Sequence, residues 1–461
     1  MKSLDAGAAA ALIVLVLVGC GDPPLFELVV STPEGVDPLA DVDSLRLLVT
    51  NPADQTSEVV QETKSFSVEL TLEVHGEVGS VALEGYRAQE MVARGETPPM
   101  VLQSADYQIT LLVAKAGALS ALKPRLEQPA AQMATALVPG SGVLMAGGAD
   151  AASKPLTRAA LYDFLAHQLV KLPALPTPRM GAVGAHCGSG CALVVTGADA
   201  QGLAAQILRF DGSAWRAFDD GLSPVDRRQG AAIAALEDGT YLLFGGEGPA
   251  GPTNSVLSLD YASDGTPGMS VLPVRAGATR SHPALAVSTG VVLVAGGQGA
   301  GQPAVELFYT TSASFQSVSL PGPTLASGAA AVDLPDKRLA IIGGVDENGV
   351  LLRDGWIVDP VTLKVTHVSD VLGQGRSGHR VLRLGQRLVV LGGRQDTGLA
   401  AHAEVLSATD LSAVKQTPMV RPREAFGLVQ IGAGSLLVLG GVDDVGGVDQ
   451  IEVYETAVRC E

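Results

Sequence analysis

Val292, Leu293, Val294, Ala295, Gly296 and Gly297 (VLVAGG) make a short apolar run that stops at a pair of glycines, and the chain repeats this phrase seven times. The other copies are 143–148 (VLMAGG), 193–198 (LVVTGA), 241–246 (YLLFGG), 339–344 (LAIIGG), 388–393 (LVVLGG) and 436–441 (LLVLGG). Each run of Val, Leu, Ile and Ala is the length of a strand buried on both faces, and each glycine marks a sharp turn. The first glycines fall at 147, 197, 245, 296, 343, 392 and 440, with gaps of 50, 48, 51, 47, 49 and 48 residues. A fixed period of this kind is the signature of a repeat architecture. About 49 residues is too long for an ankyrin or tetratricopeptide helix pair and slightly longer than a WD40 unit, whose Trp-Asp signature is absent. Glycine fits such a turn without any ligand, because it adopts φ values closed to other residues and lets backbones approach closely. A dinucleotide site would show one GxGxxG opening a helix, not seven copies each leading into another strand.

Working outward, a further strand follows thirteen to fifteen residues after most first glycines and ends near an aromatic or acidic residue. The pairs are Tyr162 with Asp163, Phe210 with Asp211, Asp260 with Tyr261, Phe308 with Tyr309, Val358 with Asp359 and Tyr454 with Glu455. A Pro-containing turn and another apolar strand close most units. Together these positions resemble kelch repeats, over 116–461, about three quarters of the chain. The resemblance implies an all-β fold, a seven-bladed kelch-type β-propeller. Two departures stand out: the family's fourth-strand Trp survives only at Trp215, and the second unit reads Gly197, Ala198 where the others have the doublet. The seventh unit ends after three strands, and an unpaired edge is a liability, so 116–122, which resembles the fourth-strand endings of other units, is expected to complete it.

Upstream, 25–115 shows strand-like alternation at 26–30, 45–49, 66–74, 81–86 and 107–113. Val68, Leu70, Leu72 and Val74 fall on one face and Glu69, Thr71 and Glu73 on the other, as in a strand with one side in a core. The pattern resembles a small immunoglobulin-like β-sandwich, assigned to 20–115.

The first residues address destination. After Met1 and Lys2, the apolar run 8–18 has the length of a signal-peptide core and is too short to span a bilayer. Leu17, Val18, Gly19 and Cys20 resemble the lipobox of bacterial lipoproteins. The resemblance implies that 1–19 is removed and that Cys20 carries the lipid, anchoring the protein in the cell envelope. Gly21 in place of Asp leans towards the outer membrane of a Gram-negative bacterium. Export permits disulfides, and Cys187 and Cys191, flanking Gly188, Ser189 and Gly190, could close a hairpin. A metal site at this pair would need a second pair, which the sequence lacks, and Cys460 is left over.

Composition limits the function. With 31 Lys+Arg against 48 Asp+Glu, a formal charge of −17, the chain lacks the clustered cations that phosphate backbones require, so no nucleic-acid partner is expected. With 47% apolar residues, 4% aromatic and 55 Gly, it suits many turns between short Val/Leu/Ala strands.

One polar feature is periodic. Arg179, Arg228, Arg280, Arg376 and Arg423 each lie 16 to 18 residues before the first glycine of their unit, and Asp150, Asp199, Glu247, Asp346, Asp396 and Asp443 follow the doublets. Alternating strand directions place both sets at one edge of the repeats. They either pair with each other and with backbone carbonyls, or leave arginines free to bind an anionic sugar or carboxylate. His186, His282 and His379 are scattered over different units. Asp346, Glu347 and Asn348, like Asp443 and Asp444, lack the oxygen ladder of a Ca²⁺ loop. No GxSxG elbow or HExxH helix occurs. The expectation is a membrane-anchored lipoprotein without catalytic residues, cofactor or metal, binding a protein or glycan through its loops. The alternative is a carbohydrate-active enzyme, since kelch propellers also carry sugar oxidases and a sialic-acid epimerase.

Overall fold

The computed structural model describes residues 12–17, 25–51, 55–61, 71–72, 78–101, 107–261, 265–299 and 303–458. It is all-β, with no α-helix among the described residues. Two sheets come from the N-terminal region. One runs Thr71–Leu72, Leu12–Leu17, Leu25–Ser31, Tyr107–Leu112, and the other joins Gln55–Gln61, Ser44–Asn51, Val78–Arg87, Glu90–Glu96 and Ala114–Lys115. Leu28, Val30, Leu45, Leu47, Val49, Val81, Leu83 and Leu111 form their shared core. Strands Gln55–Gln61 and Glu90–Glu96 were not anticipated from alternation, and 66–70 lies outside the described residues. Leu12–Leu17, read from sequence as the core of an export signal, is a strand antiparallel to Leu25–Ser31 in this full chain.

Among the described residues the remaining chain builds seven antiparallel sheets that share one order of four strands, the third carrying a fifth short strand, Glu247–Gly248, and two small two-stranded sheets, Ala198–Asp199 with Gly202–Leu203 and Arg394–Gln395 with Gly398–Leu399. Ala134–Val138, Gly142–Ala146, Ala159–Asp163 and Gln168–Lys171 make the first. The second strands of the next five sheets are Ala192–Val195, Tyr241–Phe244, Val291–Ala295, Leu339–Ile342 and Arg387–Leu391. The seventh contains Gly427–Gln430, Ser435–Leu439 and Gln450–Glu455, and its fourth strand is Ala118–Arg125, paired antiparallel with Gln450–Glu455. The chain thus leaves the N-terminal sheets at Lys115 and immediately enters the last sheet of the repeat region.

Both faces of each second strand are buried, which is why these runs are apolar throughout rather than alternating. In the seventh sheet Leu436 and Val438 pack against Val389 and Leu391 of the sixth. The intervening Leu437 and Leu439 pack against Val143, Met145 and Tyr162 of the first. Comparable clusters join every other consecutive pair of sheets.

Candidate functional site

The glycine doublets are joints between neighbouring sheets. Their first members have φ near +60° (Gly147 +65°, Gly245 +62°, Gly343 +62°, Gly440 +59°) and their second members φ near +100°. In the second unit Thr196 (φ +59°) and Gly197 (φ +90°) take these two conformations. The doublet there is therefore Thr196-Gly197, not Gly197-Ala198. The correction evens the spacing, because backbone conformation rather than residue type defines the repeat. The second glycine's N–H reaches into the next sheet's entry segment: Gly148 donates to the Arg179 carbonyl (2.7 Å), Gly197 to Arg228 (2.9 Å), Gly246 to Arg280 (2.9 Å), Gly344 to Arg376 (2.9 Å) and Gly393 to Arg423 (3.0 Å). Gly441 of the last sheet donates in the same manner to Ala130, ahead of the first sheet, at 2.9 Å. A Cβ on Gly147 would stand 2.4 Å from the Arg179 carbonyl oxygen, so the contact itself requires glycine.

The same arginines brace their own sheets. All five are buried, with 0–3% exposure. Each guanidinium donates to a carbonyl in or next to the first half of its sheet's third strand: Arg179 to Gln206 (3.3 Å), Arg228 to Ser255 (3.0 Å), Arg280 to Ala304 (3.1 Å), Arg376 to His402 (3.2 Å) and Arg423 to Gln450 (2.7 Å). Four also donate to the carbonyl of their own first doublet glycine, as Arg423 does to Gly440 at 3.0 Å. Ion-pair partners come from the third strands: Glu306 at 2.6 Å from Arg280, Glu404 on Arg376 and Glu452 on Arg423. Each glutamate also accepts a backbone N–H three residues before its arginine, from Gly277 (2.7 Å), Gly373 (2.8 Å) and Val420 (3.1 Å). Burial pushes Glu452 up and Arg423 down, while their ion pair and hydrogen bonds pull the other way.

This corrects two expectations. The arginines proposed as ligand contacts are enclosed and committed to backbone and carboxylate acceptors, and the doublet acids are not their main partners. Only Arg179 approaches one, Asp199, at 3.7 Å. Asp150, Asp199, Asp346 and Asp443 instead accept N–H groups two to four residues on, as turn-forming carboxylates do. That bonding holds Asp346 and Asp443 below the usual carboxylate range, against the opposing effect of burial. Glu306, Glu404 and Glu452 were missed, although glutamate inside an apolar strand is itself a signal of a buried partner.

The histidines are dispersed. His379 is fully enclosed, donates its Nε2–H to the Ile342 carbonyl (3.0 Å) and is pushed down to about 3 by burial and by Arg376. His282 is lowered by burial, and His186 sits edge-on to Tyr241 with ring centroids 5.8 Å apart. Among the described residues no group of three or more His, Cys, Asp or Glu could hold a metal ion. Cys187 and Cys191 are joined by a disulfide with Cα atoms 5.1 Å apart. Cys20 and Cys460 lie outside the described residues.

A buried ionic cluster ties the N-terminal region to the seventh sheet. Arg94 lies 2.6 Å from Glu96 and 3.0 Å from Glu455, and the Ser435 hydroxyl donates to Glu455 at 2.5 Å. Burial pushes Glu455 up to about 8, and Glu96 adds to the rise, while Arg94 and the Ser435 hydroxyl pull it down.

The fold and these braces define an all-β protein of stacked four-stranded antiparallel sheets. No protein-family model matches the chain, and no curated protein does. Among the described residues no helix is long and apolar enough to cross a membrane.

Proposed function

We propose that the chain is a seven-bladed kelch-type β-propeller carried on an immunoglobulin-like sandwich. In this reading Cys20 anchors it to the cell envelope, and it binds a protein or glycan partner without catalysing a reaction. The observation that carries the reading is the repeated use of the periodic polar residues, with a buried arginine in five sheets and a third-strand glutamate paired to it in three. Doublet, arginine and third-strand glutamate recur as braces, and Gly441 makes with Ala130 the contact that the earlier doublets make with the next arginine segment. Residues consumed in this way build a scaffold, and function passes to the loops between strands. Those after the doublets carry exposed Glu247, Glu347, Asp396 and Asp444, which suits a partner presenting basic groups. Removal of 1–19 in the mature chain would also free the edge of Leu25–Ser31 that Leu12–Leu17 covers.

Electron microscopy of the purified chain is expected to give a seven-lobed disc with a central channel, and an open array would end the propeller reading. Membrane fractionation tests the anchor. Cys20→Ser is expected to move the protein into the soluble fraction, and unchanged membrane retention would refute lipidation at that residue. Crosslinking from the Glu247 and Asp396 loops, with glycan-array binding in parallel, identifies the partner class.

A further inference from the structure

A cavity of about 820 Å³ opens where the fourth strand of the seventh sheet meets the outer strands of the first. Small side chains leave it room. In the second and fourth sheets the fourth-strand position opposite the third strand's aromatic is itself aromatic: Trp215 faces Phe210, and Phe315 faces Phe308. These rings fill the gap to the preceding sheet. The Trp215 indole N–H reaches the Pro173 carbonyl at 2.9 Å, and Phe315 packs on Phe244 with centroids 6.3 Å apart. In the first sheet the same position, opposite Tyr162, is Leu169, and the small Ala159, Ala160 and Ala174 line the space beside it.

The lining combines two chemistries. Met145, Leu169 and Leu172 supply an apolar wall, while Lys123, Arg125, Arg158 and Lys171 supply four cations against one carboxylate, Glu127. On a chain of formal charge −17 this is a local reversal of sign. Lys171 is paired with Glu127 at 2.7 Å, and Arg125 with Glu34 at 2.9 Å and Asp449 at 3.7 Å. Arg158 has no carboxylate partner among the described residues. It donates Nε to the Gly147 carbonyl at 3.4 Å and Nη2 to the Met133 sulfur, and Nη1 makes no hydrogen bond to the described residues. Burial alone lowers it to about 10, so it remains charged at neutral pH. A half-buried guanidinium with a spare donor, next to an apolar wall, matches a carboxylate attached to a hydrocarbon chain. The lining offers no Phe, Tyr or Trp, and its one aromatic ring, His167, is held between the Tyr162 hydroxyl and the Thr110 carbonyl.

We infer that this cavity binds a long-chain carboxylate, with the head group on Arg158 and the chain along Leu169, Leu172 and Met145. The site is distinct from the loop face proposed for partner binding and does not depend on the anchor. The test is fluorescence titration of the full chain carrying Cys20→Ser, so that no covalent acyl group competes, with a dansyl-tagged fatty acid as probe. Saturable binding in the micromolar range is expected, displaced by hexadecanoate but at least about tenfold less well by hexadecanol, and not by inorganic phosphate. Arg158→Gln is expected to weaken binding about tenfold or more. Leu169→Trp, which places there the aromatic found in the second and fourth sheets, is expected to abolish it while raising the melting temperature. Ala160→Met narrows the same space and serves if the tryptophan variant does not fold. The inference is overturned if the probe does not bind, if the alcohol competes as well as the acid, or if the folded filling variant binds as tightly as the parent.

Discussion

Thr196 shows how much one position departs from its repeat. It holds φ +59°, where six other units have glycine, and its buried hydroxyl has no hydrogen-bond partner. A β-branched residue in the left-handed region and an unsatisfied hydroxyl both cost free energy. Thr196→Gly is therefore expected to stabilise the protein by about 1–2 kcal/mol, read as a higher urea midpoint. The braces behave in the opposite sense. Arg423→Met leaves the fully enclosed Glu452 without its cation and is expected to cost about 3–5 kcal/mol, with the double variant Arg423→Met/Glu452→Leu recovering much of the loss. Titration adds two signs. Glu455 is held above its ordinary 4.5, near 8, so its folded state keeps the proton more tightly. Its stabilisation is complete below about pH 4.5 and is lost as pH rises through 8. Urea midpoints should fall between pH 5 and pH 9, and Glu455→Gln should flatten that fall. His379, held near 3, works in reverse: its contribution is present above 6.5 and is lost as pH drops towards 3.

At the level of strands, the decisive element is Ala118–Arg125, which lies more than three hundred residues from its partner Gln450–Glu455 in the chain. Without it Gln450–Glu455 becomes an exposed edge and Leu122 leaves the core between the seventh and first sheets. Ser120→Pro removes a ladder donor and should lower the melting temperature by several degrees and promote aggregation on heating, measured by light scattering. The hairpin bond between Cys187 and Cys191 closes only a short loop, so Cys187→Ala/Cys191→Ala should cost about 2 kcal/mol and leave the fold intact. The second strands were legible as buried because two apolar faces leave no room for polar alternation. Gln55–Gln61 was not, since its sequence QTSEVVQ carries little apolar pattern and its pairing comes from Ser44–Asn51 beside it.

Across the whole molecule, seven sheets share interfaces of one kind, and the last packs on the first through Leu437 and Leu439. Leu437→Ala at that junction should destabilise the protein by about 2–5 kcal/mol, as would the equivalent Leu293→Ala at an internal one, because both side chains are fully buried between sheets. A much smaller loss at Leu437 would mean that the last and first sheets are not packed as described. The period, the all-β class and the need for a completing strand were readable from sequence because each is a local requirement: a φ that favours glycine, a strand that must be apolar on both sides, an edge that must be covered. What the arginines do was decided only in three dimensions. The carboxylate partners of Arg280, Arg376 and Arg423 lie 26 to 29 residues downstream on another strand, and a guanidinium's exposure depends on what packs over it. The cavity likewise forms where Leu169 and a cluster of alanines face Ala118–Arg125, a strand held in place by pairing with Gln450–Glu455 at the far end of the repeat region, and no local pattern records that meeting.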